Sequence, residues 1–232
     1  LLATYFSAKC PVYFAPAMDL DIFKHESTKH SFEKLNSFGN TMIPATSGEL
    51  ASGLVGEGRM AEPEDILAFI EADVLSKLPL KGKKVLITAG PTYEAIDPVR
   101  FIGNHSSGKM GFEIAKAAAN LGAKVTLVTG PTHQTVSLSL VDVKPVVSAQ
   151  DMYDQVHKYY QYTDIAILSA AVADYRPKQV AEQKIKKVDS TLTVELEKTK
   201  DILKSLGQEK TNQFLVGFAL ETNNELQHAK AK

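Results

Sequence analysis

An α/β fold, a Rossmann-like parallel sheet with helices on both faces, is predicted by three features of this chain. Short apolar runs at residues 85–89, 124–129, 164–169 and 214–219 are separated by stretches of helical period. That is the pattern of strand–helix–strand units, which pair in parallel through right-handed crossovers. Between the first run and its helix lies the stretch 97–111, which holds Asp97, Arg100, Gly103, Asn104, Ser106, Ser107, Gly108 and Lys109. It sits outside the carboxyl end of a strand and at a helix N-terminus, where such folds bind anions. A second polar island, 169–177, follows the third run and contains Ser169, Ala170, Ala171, Asp174 and Arg176. Two such loops point to a nucleotide- or phosphate-handling enzyme ahead of a pure binding module.

The elements follow in order. Residues 11–15 read as a short buried strand ended by Pro16, and a loop-rich stretch with four glycines spans 48–60. Residues 62–75 read as a helix with Pro63 in its first turn and Ile66, Ile70 and Val74 on one face. The segment 76–84 combines Pro79, Gly82 and four lysines and is read as the linker between a first part, 1–75, and a second, 85–232. In the second part, 85–89 is a strand and 109–121 a helix with Met110, Ile114, Ala117 and Leu121 on one face, closed by Gly122. Residues 124–129 form the next strand, and Met152, Val156 and Tyr159 mark a helix before the strand 164–169. Residues 191–196 alternate as a half-buried strand, and 214–219 read as another buried one.

Composition narrows the class. With 232 residues, 44% hydrophobic and 23% charged, the chain has material for an ample core. A formal net charge of −1 offers no basic field for nucleic acid. The single Cys10 excludes an intrachain disulfide or multi-cysteine zinc site and fits a reducing cytoplasm. No apolar run approaches the roughly 18 residues of a membrane helix. Both termini, Leu1 and Lys232, fall within helical patterns, so the chain is expected to be a fragment of a longer polypeptide.

Each motif has a plain structural alternative. Gly103-x-x-x-x-Gly108-Lys109 matches most of a phosphate-binding P-loop, but Met110 replaces the hydroxyl that would hold Mg²⁺, and no Gly-x-Gly-x-x-Gly is present. The hydroxyls of Ser106 and Ser107 and the free N–H groups of a helix start can hold a phosphate; simple helix capping by a serine is the alternative. Asn104 can position an acyl or phosphoryl group, or merely make a turn. Asp174 can meet a metal, a ribose or a base, or be an exposed turn residue. Lys184, in the cluster Lys184-Ile185-Lys186-Lys187, can neutralise a triphosphate or simply be solvated. The segment Lys200-Asp201-Ile202-Leu203 reads as a helix start, either a phosphate cradle or a plain cap. His25 and His30 read as surface residues, and no metal-ligand spacing is present.

These residues resemble a known family, the bacterial bifunctional phosphopantothenoylcysteine decarboxylase/phosphopantothenate–cysteine ligases of coenzyme A biosynthesis. The resemblance runs through 87–92, 97–111, 169–177, 184–187 and 216–222 for the ligase half, and through 16–19 and 48–60 for the end of the decarboxylase half. It implies that 1–75 are the tail of a flavodoxin-like, FMN-dependent decarboxylase domain, and 85–232 a C-terminally truncated ligase domain. The implied reaction joins 4′-phosphopantothenate to L-cysteine through an acyl-cytidylate made from CTP, with Mg²⁺ screening the phosphates. Homodimers through the ligase domain, and larger assemblies in the full-length protein, are implied as well.

By the same resemblance Lys184 neutralises the triphosphate, and Asn104 assists conversion of the acyl-cytidylate by cysteine. Ser169, Ala170, Asp174, Lys184, Lys200, Asp201, Ile202, Leu203, Phe218 and Lys232 would hold the nucleotide. Arg100, Gly103, Asn104, Ser106, Ser107, Gly108, Lys109 and Ala171 would hold the substrate's phosphate and acyl groups. Ser52 stands where many members carry a proton-donating cysteine, and Asp19 replaces their usual asparagine. The family's flavin-binding N-terminal portion and active-site histidine have no match in this chain, so decarboxylation and FMN binding are expected only of the full-length protein. The rival readings are an NAD(P)-binding oxidoreductase and an inactive assembly module.

Overall fold

The computed structural model describes residues 2–186 and 191–218. The described residues fall into two compact units that divide between Lys77 and Leu78. The first holds α1 (Leu2–Ser7), β1 (Tyr13–Phe14), α2 (Leu20–Lys24), α3 (Glu26–Ser37), β2 (Thr41–Met42), β3 (Thr46–Glu49), β4 (Val55–Arg59) and α4 (Pro63–Ser76). β1 and β2 pair in parallel, and β3 and β4 form an antiparallel hairpin. Pro63 at the start of α4 pre-sets the helical φ. Ile66 and Ile70 are half-buried, but Val74 is exposed, so the expected apolar face is only partly covered.

The second unit contains β5 (Lys84–Ala89), β6 (Tyr93–Ala95), β7 (Phe101–Gly103), α5 (Lys109–Asn120), β8 (Lys124–Thr129), β9 (Val141–Pro145), α6 (Ala149–Tyr160), β10 (Ile165–Leu168), β11 (Tyr175–Pro177), β12 (Leu196–Lys198), α7 (Ile202–Glu209) and β13 (Phe214–Gly217). Five strands form one sheet in the order β13-β10-β5-β8-β9, every pair parallel. Two antiparallel ribbons, β6–β7 and β11–β12, stand apart from it. Apart from Lys84 at its start and the buried Thr88, β5 is apolar because both of its faces are covered. Val85, Ile87 and Ala89 pack with Phe112, Ala115 and Ala119 of α5, whereas Leu86 packs with Met152 and Val156 of α6 and Ile202 and Leu206 of α7. Helices on both faces of a parallel sheet bear out the expected fold class.

Several details differ from the expectation. The buried stripe of α5 is Gly111, Phe112, Ala115, Ala118 and Ala119, while Met110 and Leu121 are exposed. Apart from Phe112 the buried stripe is of small residues, because the helix comes close to the sheet at Gly111, where a β-carbon would come within 2.5 Å of Ala89 Cβ. Tyr160, not Tyr159, closes the buried face of α6. Residues 191–195 form no strand, residues 191–193 being exposed without a face to bury; pairing begins at Leu196, against β11. β13 is an edge strand, exposed at Phe214, rather than a buried one. β9 and the β6–β7 ribbon had no counterpart in the sequence reading.

The chain leaves β5 for β8 on one side and later returns to β10 on the other. Such a switch point opens a crevice outside the carboxyl ends of β5 and β10. The tight seat of α5 against this crevice is testable. Gly111→Ala should destabilise the protein by about 1–3 kcal/mol through overpacking, although alanine is the better helix former. Urea unfolding measures this, and an unchanged or raised midpoint would contradict the close approach.

Candidate functional site

Two buried threonines extend the pairing of β5 and β10 past the strand ends. Thr88 Oγ1 accepts from the N–H groups of Ser169 (3.1 Å) and Ala170 (3.2 Å), and the Ser169 hydroxyl donates to the Thr88 carbonyl at 2.6 Å. Thr92 Oγ1 accepts from Ala173 N–H at 3.0 Å, and the Ala171 N–H donates to the Gly90 carbonyl at 2.9 Å. Ser169, Ala170 and Ala171 are thereby fixed at the mouth of the crevice. The two threonines lie in the 87–92 segment of the resemblance but were not singled out as site residues; within that segment their signal was a hydroxyl in or beside an otherwise apolar strand.

The 97–111 loop reaches the same place by an indirect path. The β6–β7 ribbon intervenes between β5 and α5, which explains why the P-loop pattern does not apply. It returns Asn104 to the crevice, where Nδ2 donates to the Val172 carbonyl at 2.9 Å and lies 3.4 Å from that of Ala171. The amide's Oδ1 has no protein donor among the described residues. Gly103 lies close against the ribbon, its missing β-carbon 2.9 Å from the Thr92 carbonyl.

The start of α5 is not capped by serine. Gly108 is the N-cap, in the left-handed region at φ 74°, and makes no side-chain cap. A side chain there would be strained and would crowd Gly90, 3.2 Å from its Cα. Ser106 and Ser107 make only long contacts to the N–H groups of Gly108 (3.3 Å) and Lys109 (3.4 Å). No acidic side chain occupies the first turn. The positive end of α5 thus keeps N–H groups without a strong internal acceptor, beside the exposed Lys109.

Asp97 organises the loop from below. Its side chain is 0% exposed. Oδ1 accepts from Val99 N–H (2.8 Å) and Arg100 N–H (2.9 Å); Oδ2 accepts from Arg100 Nε (2.9 Å), Arg100 Nη2 and Ile185 N–H (3.1 Å). Burial alone would push this carboxyl up. The Arg100 guanidinium and the N–H groups of Val99, Ile185 and Arg100 outweigh it and hold the group well below the usual carboxylate range. Arg100 Nη2 also donates to the Ile185 carbonyl at 2.7 Å. Arg100, expected among the groups that hold substrate phosphate, is therefore engaged with Asp97 and Ile185. Lys184, next to Ile185, is exposed and forms no ion pair among the described residues.

The expected nucleotide residues gather at the ends of β10 and β13. Thr199 joins Asp174 through a 2.9 Å backbone bond and donates its hydroxyl to the Ala173 carbonyl at 2.7 Å. The Asp174 side chain is exposed, without a hydrogen-bond partner among the described residues. Asp201 caps α7, accepting from Lys204 N–H at 2.9 Å, and Lys200 Nζ lies 4.6 Å from the Tyr153 ring centre. Only the backbone of that turn is left to face a ligand. Ile202 is buried in the core, and Leu203 packs on Gly217. Phe218 N–H donates to the Leu168 carbonyl at 3.2 Å, and its ring is exposed. Lys187, the residues 219–222 of the last motif, and Lys232 lie outside the described residues.

In the first unit the Ser52 hydroxyl donates to Asp19 Oδ1 at 2.9 Å, and the same oxygen accepts from Leu20 N–H at 2.7 Å to cap α2. Two residues 33 positions apart, both singled out in the sequence, are in contact. His25 and His30 are exposed as expected. Among the described residues no group of three or more His, Cys, Asp or Glu could hold a metal ion, and no helix is long and apolar enough to cross a membrane.

The depressed ionisation of Asp97 makes a pH prediction. With its folded pKa below the unfolded value of about 3.9, the native state binds fewer protons there, so its contribution to stability is fully present above about pH 5 and is lost as pH falls. The stability difference between the wild type and Asp97→Asn should be constant from pH 7 to about pH 5 and shrink below about pH 4. Denaturant titrations across that range check it. A difference that stays flat into strong acid would refute the assignment.

Comparison with known proteins agrees with this architecture. The profile described as DNA/pantothenate metabolism flavoprotein C-terminal domain matches residues 80–232, and the Flavoprotein profile matches residues 1–75. The chain is 46% identical to the Bacillus subtilis (strain 168) coenzyme A biosynthesis bifunctional protein CoaBC over 234 residues, covering all of the chain and 58% of the relative. It is 48% identical over 237 residues to a cysteine/cysteine sulfinic acid decarboxylase of an unknown prokaryotic organism, covering all of the chain and 66% of that relative. The chain thus spans less than two thirds of the length of these relatives. Among solved structures, the C-terminal domain of a CoaBC protein superposes with TM-score 0.60 at 51% identity, over 67% of this chain and 74% of that one. The Streptococcus pneumoniae DNA/pantothenate metabolism flavoprotein gives 0.58 at 27% identity, over 63% and 73%. A flavoprotein profile, its C-terminal-domain partner and the shared parallel sheet together assign this chain to the DNA/pantothenate metabolism flavoprotein family, among relatives that bear the name CoaBC.

Proposed function

We propose that the second unit carries a CTP-dependent ligase that joins 4′-phosphopantothenate to cysteine. The observation that carries this reading is Asn104, held to Val172 beside the crevice, with the Lys184 segment tied through Ile185 to Asp97 and Arg100 of the same 97–111 loop. A carboxylate cannot be attacked by an amine until its oxygen becomes a good leaving group. In the first step a carboxylate oxygen attacks the α-phosphorus of CTP, and the bond to the β-phosphate oxygen breaks to release pyrophosphate. In the second, the cysteine amine attacks the acyl carbon, its extra proton goes to solvent, and CMP departs with the bonding pair.

Lys184, exposed and free of an internal partner among the described residues, neutralises charge on the triphosphate. Asn104 is held by its Nδ2, which leaves Oδ1 to accept from the attacking amine and orient it. The open start of α5 receives the substrate phosphate. Asp174 and the backbone of the Lys200–Leu203 turn approach the nucleotide. Asp174, an exposed carboxylate, could meet a Mg²⁺ ion carried by the triphosphate, which would screen the phosphate charge.

The full-length protein would add FMN-dependent decarboxylation, a reading supported by the Flavoprotein profile over residues 1–75 and by one relative named a decarboxylase. In this chain's first unit Asp19 and Ser52 close on each other instead of forming a cradle of free N–H groups, so no flavin step is derived from its residues.

The test is pyrophosphate release by the full-length protein with Mg²⁺, 4′-phosphopantothenate and CTP or ATP, with or without cysteine. Release should require 4′-phosphopantothenate and prefer CTP. Asn104→Ala should still release pyrophosphate yet yield no amide, and Lys184→Gln should slow release by about 100-fold. No release from any mixture would overturn the proposal.

A further inference from the structure

We infer that Asp97 is a positioning residue for this reaction: its buried carboxylate ties the Asn104-bearing loop to the Lys184-bearing loop and so sets where the Lys184 ammonium stands. The tether is independent of the reading above; the word reaction rests on it. Asp97 itself touches no substrate, because its side chain is 0% exposed and both oxygens are occupied by protein donors. Its two oxygens have separate tasks. Oδ1 makes a local turn with Val99 and Arg100, while Oδ2 reaches a residue 88 positions away.

Ile185 is held on both sides, its N–H by Asp97 and its carbonyl by Arg100. The N–H of Ile185 belongs to the peptide plane that begins at the Lys184 carbonyl, so fixing it fixes the direction in which the Lys184 backbone runs. The same segment is pinned again upstream, where Ala181 N–H donates to the Ile96 carbonyl at 3.0 Å. Lys184 therefore projects from a short segment anchored before and after it on the residues 96–100. An exposed lysine on a free loop would sample many positions; here the flexible part is reduced to the side chain.

Asp97→Asn separates these tasks. The amide oxygen can keep the local turn, but the NH₂ group would face the Arg100 and Ile185 donors that Oδ2 accepts. In the full-length protein this variant should lower kcat for pyrophosphate release at least about tenfold, with KM for 4′-phosphopantothenate changed less than about threefold. In a Lys184→Gln background the same change should cost less than about twofold, because the group it positions is already gone. Multiplicative losses in the double variant would overturn the inference.

Hydrogen exchange supplies a readout that needs neither activity nor a stable variant. Ile185 N–H should be protected in the wild type and, where Asp97→Asn folds, should exchange at least about tenfold faster while the β5 amides stay unchanged. An unprotected Ile185 in the wild type, or one unaffected by a folded Asp97→Asn, would refute the tether. If the wild type releases no pyrophosphate, the ligase reading falls, and this exchange measurement alone decides the tether.

Discussion

The crevice depends on one buried charge. A carboxylate removed from water is costly unless its lone pairs are filled and its charge is balanced. Asp97 meets both conditions with the Arg100 guanidinium and N–H groups from Val99, Arg100 and Ile185. Because those donors come from two distant parts of the chain, satisfying the charge and joining the loops are one event. The alternative, an unpaired Asp97 beneath two independent loops, is disfavoured by the desolvation cost that the native donors offset.

The other wall is held by neutral groups. Thr88 and Thr92 replace the ladder that β5 and β10 can no longer supply beyond their ends, each accepting from N–H groups of the 169–173 segment. Gly90 and Gly130 bring the ends of β5 and β8 together: a β-carbon at Gly130 would lie 1.6 Å from the Pro91 carbonyl. α5 is drawn down on this platform by glycine and alanine, and its N-terminal N–H groups are presented beside it. What this platform offers an anion is backbone N–H groups, and the side chains serve to bring that backbone into place.

Much of the framework was legible in the sequence. The runs at 85–89 and 124–129 are continuous and apolar because both faces of a central parallel strand are covered, and Asp201 announced the cap of α7. The failures have physical causes. A search for large residues at helical spacing selected Met110 and Leu121, whereas close approach to the sheet buries Gly111, Ala115 and Ala118. β9 is an edge strand with polar positions at Asp142 and Lys144, so it shows no apolar run. The β6–β7 ribbon is three residues a side and is held partly by the buried Glu94, whose carboxylate accepts from Ala149 N–H at the start of α6. No periodicity reports such a contact.

The two candidate loops were legible from their place after strands, but the roles expected of their residues came only through resemblance, and the reason lies in exposure. Lys184, Asp174 and Phe218 face solvent, where neither burial nor spacing constrains residue type. The structure adds what resemblance lacks: which polar groups are already engaged. Arg100 is bound to Asp97 and Ile185, Asp201 caps α7, and Lys200 lies over Tyr153. Asn104 keeps one amide atom free, and Lys184 and Asp174 keep their charged ends free among the described residues. A ligand's phosphate can recruit a free ammonium without breaking any bond in the protein. To recruit Arg100 by the nitrogens already in use, it would have to undo the support of a buried carboxylate. On the proposed reading the chemistry would fall to Lys184 and Asn104, with Asp97 holding the segment beside Lys184 without meeting the substrate.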